Sequence, residues 1–249
     1  VSRLSETDSN VIATYNKKHP DFQINSNISL IKADLTKADE WDRVLHFVFQ
    51  KYDKLDVLIN CTGALIPGDF LNQTEEQMSE MININLYSVL IGTQKALKLM
   101  RRQKFGHIIN IGSIGGIIPM PYSAVYSATK FALRGFTHSL AKELKDSKIL
   151  ISLVSPGPVN TQMLKQEADH YKTSIAFLNK TLKPEQVADS IIKIINKPKT
   201  EVIIPSTLSC PSRVLFTSPE LFSTAYKLID KIGKWRKRSY IKKQFDLSL

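Results

Sequence analysis

The chain has 249 residues, 43% of them hydrophobic and 23% charged, which suits one large α/β domain with a sizeable core. No apolar run is long enough to cross a bilayer, no signal peptide is visible, and two cysteines, Cys61 and Cys210, are too few for a disulfide framework or a metal-ligand cluster. The net charge of +11 would fit nucleic acid or anionic lipid, but more than half of it lies between Lys227 and Lys243, so the main body is only mildly basic.

Short runs rich in Ile, Val and Leu recur along the chain and predict strands buried on both faces of a parallel sheet. Between them, apolar residues repeat every three or four positions, which predicts crossover helices. The alternation indicates an α/β fold with a doubly wound, Rossmann-like parallel sheet. The predicted strands are Ile28–Lys32, Leu55–Asn60, His107–Ile111, Ile149–Ser155 and Val202–Ile204, and the predicted helices cover Trp41–Phe49, Met78–Leu86, Leu90–Met100, Ser123–Lys145 and Pro184–Asn196.

The first residues depart from this pattern. Val1–Arg3 are predicted to end a strand, and a helix is predicted near Asp8–Lys18. A dinucleotide-binding fold opens with a strand, a glycine-rich turn and a helix, whereas the first glycine of this chain is Gly63. We therefore expect one strand, the glycine turn and one helix to be missing. The missing strand would lie beside Leu55–Asn60, and its absence is expected to leave a gap with unpaired backbone groups and an exposed apolar face.

The pair Tyr126 and Lys130 is the strongest chemical signal. On a helix these residues lie one turn apart on one face, and a lysine ammonium beside a phenol favours the phenolate, lowering the pKa of the tyrosine. Such a tyrosine can give a proton to a carbonyl oxygen or take one from an alcohol. A Tyr-x-x-x-Lys pair alone also occurs by chance on surface helices, so its context decides.

Two turns at predicted strand ends supply that context, because ligands of parallel α/β sheets bind outside the carboxyl ends of the strands. Ser113 follows the strand His107–Ile111, and its hydroxyl could bind a substrate oxygen; a plain turn or helix-cap serine is the alternative. The turn from Pro156 to Thr161 follows the next strand, where it could hold a nicotinamide amide or act as a simple turn.

Together these residues resemble the classical type of the short-chain dehydrogenase/reductase superfamily, from residue 1 to about residue 205. The resemblance implies hydride transfer between a nicotinamide and a carbonyl or alcohol carbon. It implies that Tyr126 is the acid or base, that Lys130 lowers its pKa and holds the nicotinamide ribose, that Ser113 orients the substrate oxygen, and that Asn85 holds a water that links Lys130 to solvent.

The resemblance also implies a set of cofactor-binding residues and a cofactor. Asn60-Cys61-Thr62-Gly63 resembles the family's Asn-Asn-Ala-Gly motif, with one amide replaced. Arg3, expected at the end of the second strand, is typical of members that bind the 2′-phosphate, so NADP(H) is favoured over NAD(H); an unengaged terminal arginine is the alternative. The implied cofactor-binding residues are Arg3, Asp34, Leu35, Asn60, Gly63, Tyr126, Lys130, Pro156, Gly157, Val159 and Thr161.

The resemblance predicts an NADP(H)-dependent oxidoreductase that interconverts a carbonyl and a secondary alcohol. An apolar flap over Gln162–Leu182 suits a lipophilic substrate of steroid, acyl or retinoid type, although its apolar residues could equally be ordinary packing. The alternative is a non-catalytic binding or regulatory module, which the absent glycine loop supports. A homodimer or homotetramer, a cytoplasmic location and no nucleic-acid partner are expected. The predicted wall and flap residues are Ile117, Ile118, Met120, Tyr122, Met163, Leu164, Tyr171, Ile175 and Phe177.

The C-terminal segment is distinct in composition. We divide the chain into a catalytic domain of residues 1–217 and a basic extension of residues 218–249. Within the extension, Ser218–Tyr240 predicts an amphipathic helix with an apolar stripe and many lysines and arginines. This helix could lie on an anionic membrane surface or pack against the protein's own body with its basic face in water.

Overall fold

The computed structural model describes residues 1–20, 25–170, 172–217 and 219–246, and it confirms the predicted α/β architecture. Strands and helices alternate along most of the chain, as crossover connections between parallel strands require. In chain order the elements are α1 (Ser2–Ser5), β1 (Val11–Tyr15), β2 (Ile28–Lys32), α2 (Ala38–Tyr52), β3 (Val57–Asn60), α3 (Glu75–Ile82), α4 (Ser88–Gln103), β4 (Gly106–Ile111), α5 (Ala124–Glu143), β5 (Ile149–Pro156), α6 (Gln162–Asp169), α7 (Pro184–Asn196), β6 (Glu201–Ile204), α8 (Ser209–Thr217) and α9 (Pro219–Asp246).

The larger sheet has four parallel strands in the order β3-β4-β5-β6. Its middle strands are largely buried: Ile108 and Ile109 of β4 and Leu153 and Val154 of β5 have no exposed surface. Helices cover both faces, so these strands carry no polar alternation. The parallel arrangement brings the carboxyl ends of β3, β4 and β5 to one edge, which is where the catalytic candidates lie.

The smaller sheet pairs β1 with β2 and, among the described residues, is not joined to β3 by backbone hydrogen bonds. β3 is therefore an edge strand of the larger sheet; that a strand is missing beside it stays a prediction. Two predictions for the start of the chain are wrong: the helix expected near Asp8–Lys18 and the strand end expected at Val1–Arg3. Residues 2–5 form α1, and Val11–Tyr15 form a strand.

The physical reason is the composition of β1. Val, Ile and Thr are β-branched, and β1 pairs along its whole length with β2, with Ile12 opposite Ser29. Ile12 also packs with Ile31 and Val44 in a small core between this sheet and α2. Pairing and burial together outweigh the weak helical periodicity of the segment.

Two helices on one face touch through a glycine. Trp41 of α2 lies against Gly92 of α4, where a Cβ would come within 2.3 Å of the indole ring. The indole nitrogen of Trp41 donates to the carbonyl of Leu35 at 2.9 Å. This contact ties the loop after β2 to α4.

The predicted C-terminal helix is present as α9 and packs against the body of the protein. Its Gly233 lies so close to the carbonyl oxygen of Ser174 that a Cβ would approach it within 2.4 Å. Ile229 and Tyr226 join the apolar core that contains Tyr126. Among the described residues, no helix is both long and apolar enough to span a membrane.

Candidate active site

Tyr126 and Lys130 lie side by side on α5, as the helical spacing predicts. Both are buried, with 7% of Tyr126 and 4% of Lys130 exposed. The Lys130 Nζ is 5.7 Å from the centre of the Tyr126 ring and donates to the carbonyl of Ile111, at the end of β4, at 3.0 Å. An ammonium has three N–H groups, so two remain for a ligand. The strand end and the helix thus fix a phenol and an ammonium together.

Burial decides the protonation of this pair. It raises the pKa of Tyr126 to about 12, which the hydroxyl of Ser113 opposes and the charge of Glu167 reinforces. Burial also lowers the pKa of Lys130 to about 8. The sequence predicts that Lys130 lowers the pKa of Tyr126. In the structure this pKa is raised instead, because loss of water outweighs the opposing effect of the Ser113 hydroxyl.

Ser113 follows β4 and is half-buried beside the tyrosine. Its Oγ accepts from the backbone N–H of Gly115 at 3.0 Å, which opens a 3-10 turn over Ile114–Gly116. The turn is tight because Gly116 lies against the backbone of Lys130, where a Cβ would come within 2.6 Å of the carbonyl oxygen. The same turn therefore sets the position of Ser113 and touches the helix that carries Lys130.

Asn85 is fully buried in a π-helical turn, Asn83–Tyr87, between α3 and α4. Its Oδ1 accepts from the N–H of Ala64 at 2.7 Å, and its Nδ2 donates to the carbonyl of Ala64 at 2.9 Å and to Thr129 Oγ1 at 3.2 Å. Asn85 therefore braces the loop after β3 against α5, next to Lys130. Its role in holding a water stays a prediction.

Asn60 is the last residue of β3, and its side chain is buried. Its Nδ2 donates to Asn110 Oδ1 at 2.8 Å and to Thr93 Oγ1 at 3.2 Å, and the Asn110 Nδ2 donates to Thr137 Oγ1 at 3.0 Å. All of these side chains are buried. This relay of amides was not found from the sequence, because its members lie on four separate elements and share no local spacing.

A crevice of about 270 Å³ lies between the ends of β1, β2 and β3. Asp34, Leu35 and Gly63 line it, and the resemblance implies that all three bind the cofactor; that role stays a prediction. The Asp34 carboxylate accepts from the backbone N–H of Thr36 at 3.2 Å and from its hydroxyl at 2.7 Å, and these hydrogen bonds lower its pKa. The carboxylate thereby holds the turn that forms one wall of the crevice.

Arg3 lies elsewhere than expected. It belongs to α1 rather than to the end of a strand, and its guanidinium pairs with Asp189 of α7, at 2.8 Å, and with Glu6. The placement inferred from the sequence is wrong because Val1–Arg3 do not form a strand. Two lysines are instead close enough to lower the pKa of Asp34, Lys17 after β1 and Lys37 before α2.

The turn after β5 lies at the edge predicted for it. Pro156 ends the strand opposite Ile204, and the N–H of Gly157 donates to the carbonyl of Ile204 at 2.7 Å. Val159 forms a bridge with Leu182, and Thr161 is the exposed residue before α6. Thr161 Oγ1 donates to the carbonyl of Val159 at 3.3 Å. The turn leads the chain directly into the segment that covers Tyr126.

The predicted flap contains α6 and a 3-10 turn, Ile175–Phe177. Its apolar side chains Leu164, Ile175 and Phe177 are buried in one core with Tyr126, and with Ile117, Ile118 and Met120 of the opposite wall. At the start of α6 the Met163 methyl is 3.5 Å from where a Cβ of Gly63 would be. Tyr171 lies outside the described residues.

α9 holds this flap in place through a buried lysine that the sequence analysis did not single out. The Lys237 ammonium donates to the carbonyls of Glu167 at 2.9 Å and of Thr173 at 3.1 Å, to that of His170, and to Thr173 Oγ1. Asp230 accepts from the Ser174 hydroxyl at 2.6 Å. Lys237 stands among many basic residues of α9, most of which are exposed. The sequence pattern therefore does not distinguish it from them.

The chain is similar in sequence to known proteins of one family. The family model described as short chain dehydrogenase matches residues 2–172. An uncharacterised oxidoreductase of Staphylococcus saprophyticus is 36% identical over 200 residues, covering 74% of this chain and 78% of the relative. Another, from Staphylococcus aureus strain MRSA252, is 30% identical over 173 residues, with 70% and 72% covered.

Solved structures match as well. ElxO with NADP bound superposes with a TM-score of 0.65 at 29% identity, covering 72% of this chain and 77% of that one, and a Tyr-to-Phe variant of ElxO with NADPH bound gives the same values. Serine dehydrogenase from Escherichia coli has a TM-score of 0.69 at 22% identity, with 82% and 89% covered, which supports the fold alone.

Proposed function

Because the chain belongs to the short-chain dehydrogenase family and is an oxidoreductase, we propose that it transfers a hydride between NADP(H) and the carbonyl or carbinol carbon of a lipophilic substrate. One observation carries the proposal. The Tyr126 phenol, the Lys130 ammonium and the Ser113 hydroxyl lie together at the carboxyl end of β4. The apolar side chains of the flap cover them, and this part of the flap is called the cover below.

The cofactor would supply the hydride, and the chain's own residues would handle the oxygen. In the reductive direction the Tyr126 hydroxyl donates its proton to the substrate oxygen as the hydride reaches carbon, leaving a phenolate. Lys130 stabilises that phenolate and donates to the ribose hydroxyls with its two remaining N–H groups. Ser113 donates to the same substrate oxygen. The apolar cover excludes water, which strengthens each of these interactions.

NADP(H) is the favoured cofactor. The crevice beside Asp34 and Gly63 has the room and the strand-end position that suit adenosine. Lys17 and Lys37 act on Asp34 and suit a 2′-phosphate, in place of Arg3. ElxO, at 29% identity, is known with NADP bound.

We expect NADPH to support turnover with a KM at least about tenfold lower than that for NADH. The experiment is NADPH and NADH oxidation by the protein with steroid, acyl, retinoid-type and small carbonyl compounds. In the Lys17→Glu, Lys37→Glu double variant the preference for NADPH over NADH should narrow. Lys104→Glu changes a distant exposed lysine and serves as the control. A preference for NADH contradicts the cofactor assignment. The non-catalytic alternative predicts no turnover on any compound.

The family resemblance also supports a homodimer or homotetramer that pairs through α4 and α5. Both helices present partly exposed residues beside fully buried ones, as helices that cover a sheet on one face must. Such pairing would leave the crevice and the cover over Tyr126 at the edge of each subunit.

A second candidate property is association with anionic membranes through the outer face of α9. Leu228, Ile232 and Trp235 lie along one side of the helix and are 64%, 39% and 68% exposed. The opposite side packs on the protein through Ile229, Gly233 and Lys237. The helix therefore has a second, uncovered apolar stripe, and exposed basic residues border it: Lys227, Lys231, Lys234, Arg238 and Lys242.

We expect the protein to float with vesicles that contain anionic lipid and not with zwitterionic ones, since the stripe would enter the interface and the lysines would meet the head groups. Replacing Leu228, Ile232 and Trp235 by Glu should reduce the bound fraction at least about tenfold. Leu71→Glu removes an exposed leucine outside α9 and is the matched control. Equal flotation of the triple variant and the native protein would rule the stripe out.

A further inference from the structure

The inner face of α6 carries one residue whose chemistry the proposed reaction does not use. The buried residues of this helix are Leu164, Glu167 and Ala168, whose spacing puts them on one face. Leu164 and Ala168 pack in the core that contains Tyr126. Glu167 therefore lies on the face of α6 that packs against this core, beside the apolar Leu164 and Ala168.

One oxygen of the Glu167 carboxyl, Oε1, has no hydrogen-bond partner among the residues that the structure describes. Only 7% of the residue is exposed, and its Oε1 is buried and unpaired. A buried polar group without a partner costs free energy, and a carboxylate costs more than a neutral group. Burial accordingly raises its pKa to about 7. Its charge also acts on Tyr126, whose pKa it helps to raise, so the carboxyl lies within electrostatic reach of the reacting phenol.

The nearby ammonium does not satisfy this carboxyl. Lys237 is the positive charge that acts on Glu167, and it opposes the rise in the carboxyl's pKa. Its three N–H groups are directed at backbone carbonyls, including that of Glu167 itself, and at the Thr173 hydroxyl. The ammonium thus fixes the backbone of Glu167 and leaves the side-chain oxygen for another donor.

The surroundings restrict what that donor can be. The residues that share the core with Tyr126 are apolar and suit a hydrocarbon body, among them Leu65, Met120 and Ile175. Two ammonium groups, those of Lys130 and Lys237, already act within this region. A cationic ligand would meet both, whereas a neutral hydroxyl would meet no such repulsion.

We propose that Glu167 accepts a hydrogen bond from a hydroxyl group of the substrate that is separate from the reacting carbonyl. The substrate class is thereby a lipophilic carbonyl compound with a second, hydroxylated position. This inference rests on the proposed function, because it places the substrate between Tyr126 and α6. Glu167 is a specificity-determining residue in this account, and the proton and hydride are moved without it.

The test compares matched substrates. An alkyl methyl ketone series and the same ketones with a terminal hydroxyl are reduced with NADPH by the native protein, by Glu167→Leu and by Gln166→Leu, an exposed neighbour on the same helix. A hydrogen bond to a buried carboxylate is worth about tenfold to a hundredfold in affinity. The native protein should therefore prefer the best hydroxylated ketone over its parent by that factor in kcat/KM, and Gln166→Leu should keep the preference.

In Glu167→Leu the preference should fall to within about threefold, by loss of kcat/KM for the hydroxylated ketone alone. Glu167→Gln keeps an acceptor oxygen and should retain part of the preference. A native protein that favours the parent ketones, or a preference that survives in Glu167→Leu, overturns the inference. If neither these ketones nor any compound of the carbonyl panel is reduced, the proposed redox function is wrong. Calorimetric binding of the paired ketones to the NADP-saturated protein then tests Glu167, and the same ratios are expected for the affinities.

Discussion

Replacing Tyr126 by Phe is expected to reduce NADPH-linked turnover by roughly a hundredfold to ten-thousandfold, the range of general acid catalysis. The phenylalanine ring fills the same buried space in the core, so the fold should persist. What is lost is the single hydroxyl beside Lys130 and Ser113 that can pass a proton to the substrate oxygen. The measurement is steady-state NADPH oxidation with the best substrate of the carbonyl panel.

Cofactor affinity should change little in this variant, by less than about threefold in Kd, because the ribose would be held by Lys130 rather than by the phenol. Tyr87→Phe removes an exposed hydroxyl between α3 and α4 and should leave turnover unchanged. Turnover of Tyr126→Phe above half of the native rate would refute the acid role.

Replacing Lys237 by Met should destabilise the protein by on the order of 3 kcal/mol and loosen the cover over Tyr126. Methionine matches the length of lysine but has no donor. The carbonyls of Glu167, His170 and Thr173 would lose the ammonium that satisfies them in a buried site. Because these carbonyls belong to the flap, substrate KM should rise about tenfold while NADPH affinity changes little.

Denaturant unfolding and amide hydrogen exchange over residues 162–178 measure these effects. Lys231→Met, at an exposed position on α9, is the control for loss of a charge from the helix. Native stability in Lys237→Met, with native exchange protection in the flap, would show that α9 does not hold the cover.

Local patterns predicted most of the strands and helices well. β2 and α7 have the predicted bounds, because an apolar run between turn residues and a proline at the first helical position are both local signals. β1 was missed for the opposite reason. Val11–Tyr15 form a strand through pairing with β2, a contact that no short window of sequence contains.

The catalytic pair could be predicted because one helical turn separates its members, whereas other parts of the site depend on the fold. Glu167 and Lys237 are far apart in the sequence, and each looks like an ordinary charged residue of an amphipathic helix. Only the packing of α9 on the flap buries both. The predicted position of Arg3 failed with the strand on which it depended.

The burial of Tyr126 also could not be predicted from the spacing. The sequence indicates an ammonium that lowers the pKa of a phenol, but the enclosing core sets the opposite direction in the structure. Electrostatic effects of this kind depend on how much water remains, which is a property of the packed molecule.

The most direct test of hydride transfer uses isotopically labelled cofactor. NADPH carrying deuterium at the transferable position of the nicotinamide is oxidised by the protein with its best carbonyl substrate, and the alcohol is examined by NMR. Hydride transfer with Tyr126 as the acid places one deuterium on the carbinol carbon, while the hydroxyl proton comes from solvent by way of Tyr126. NADPH oxidation that leaves no deuterium in the alcohol, or that proceeds equally well in Tyr126→Phe, would contradict it.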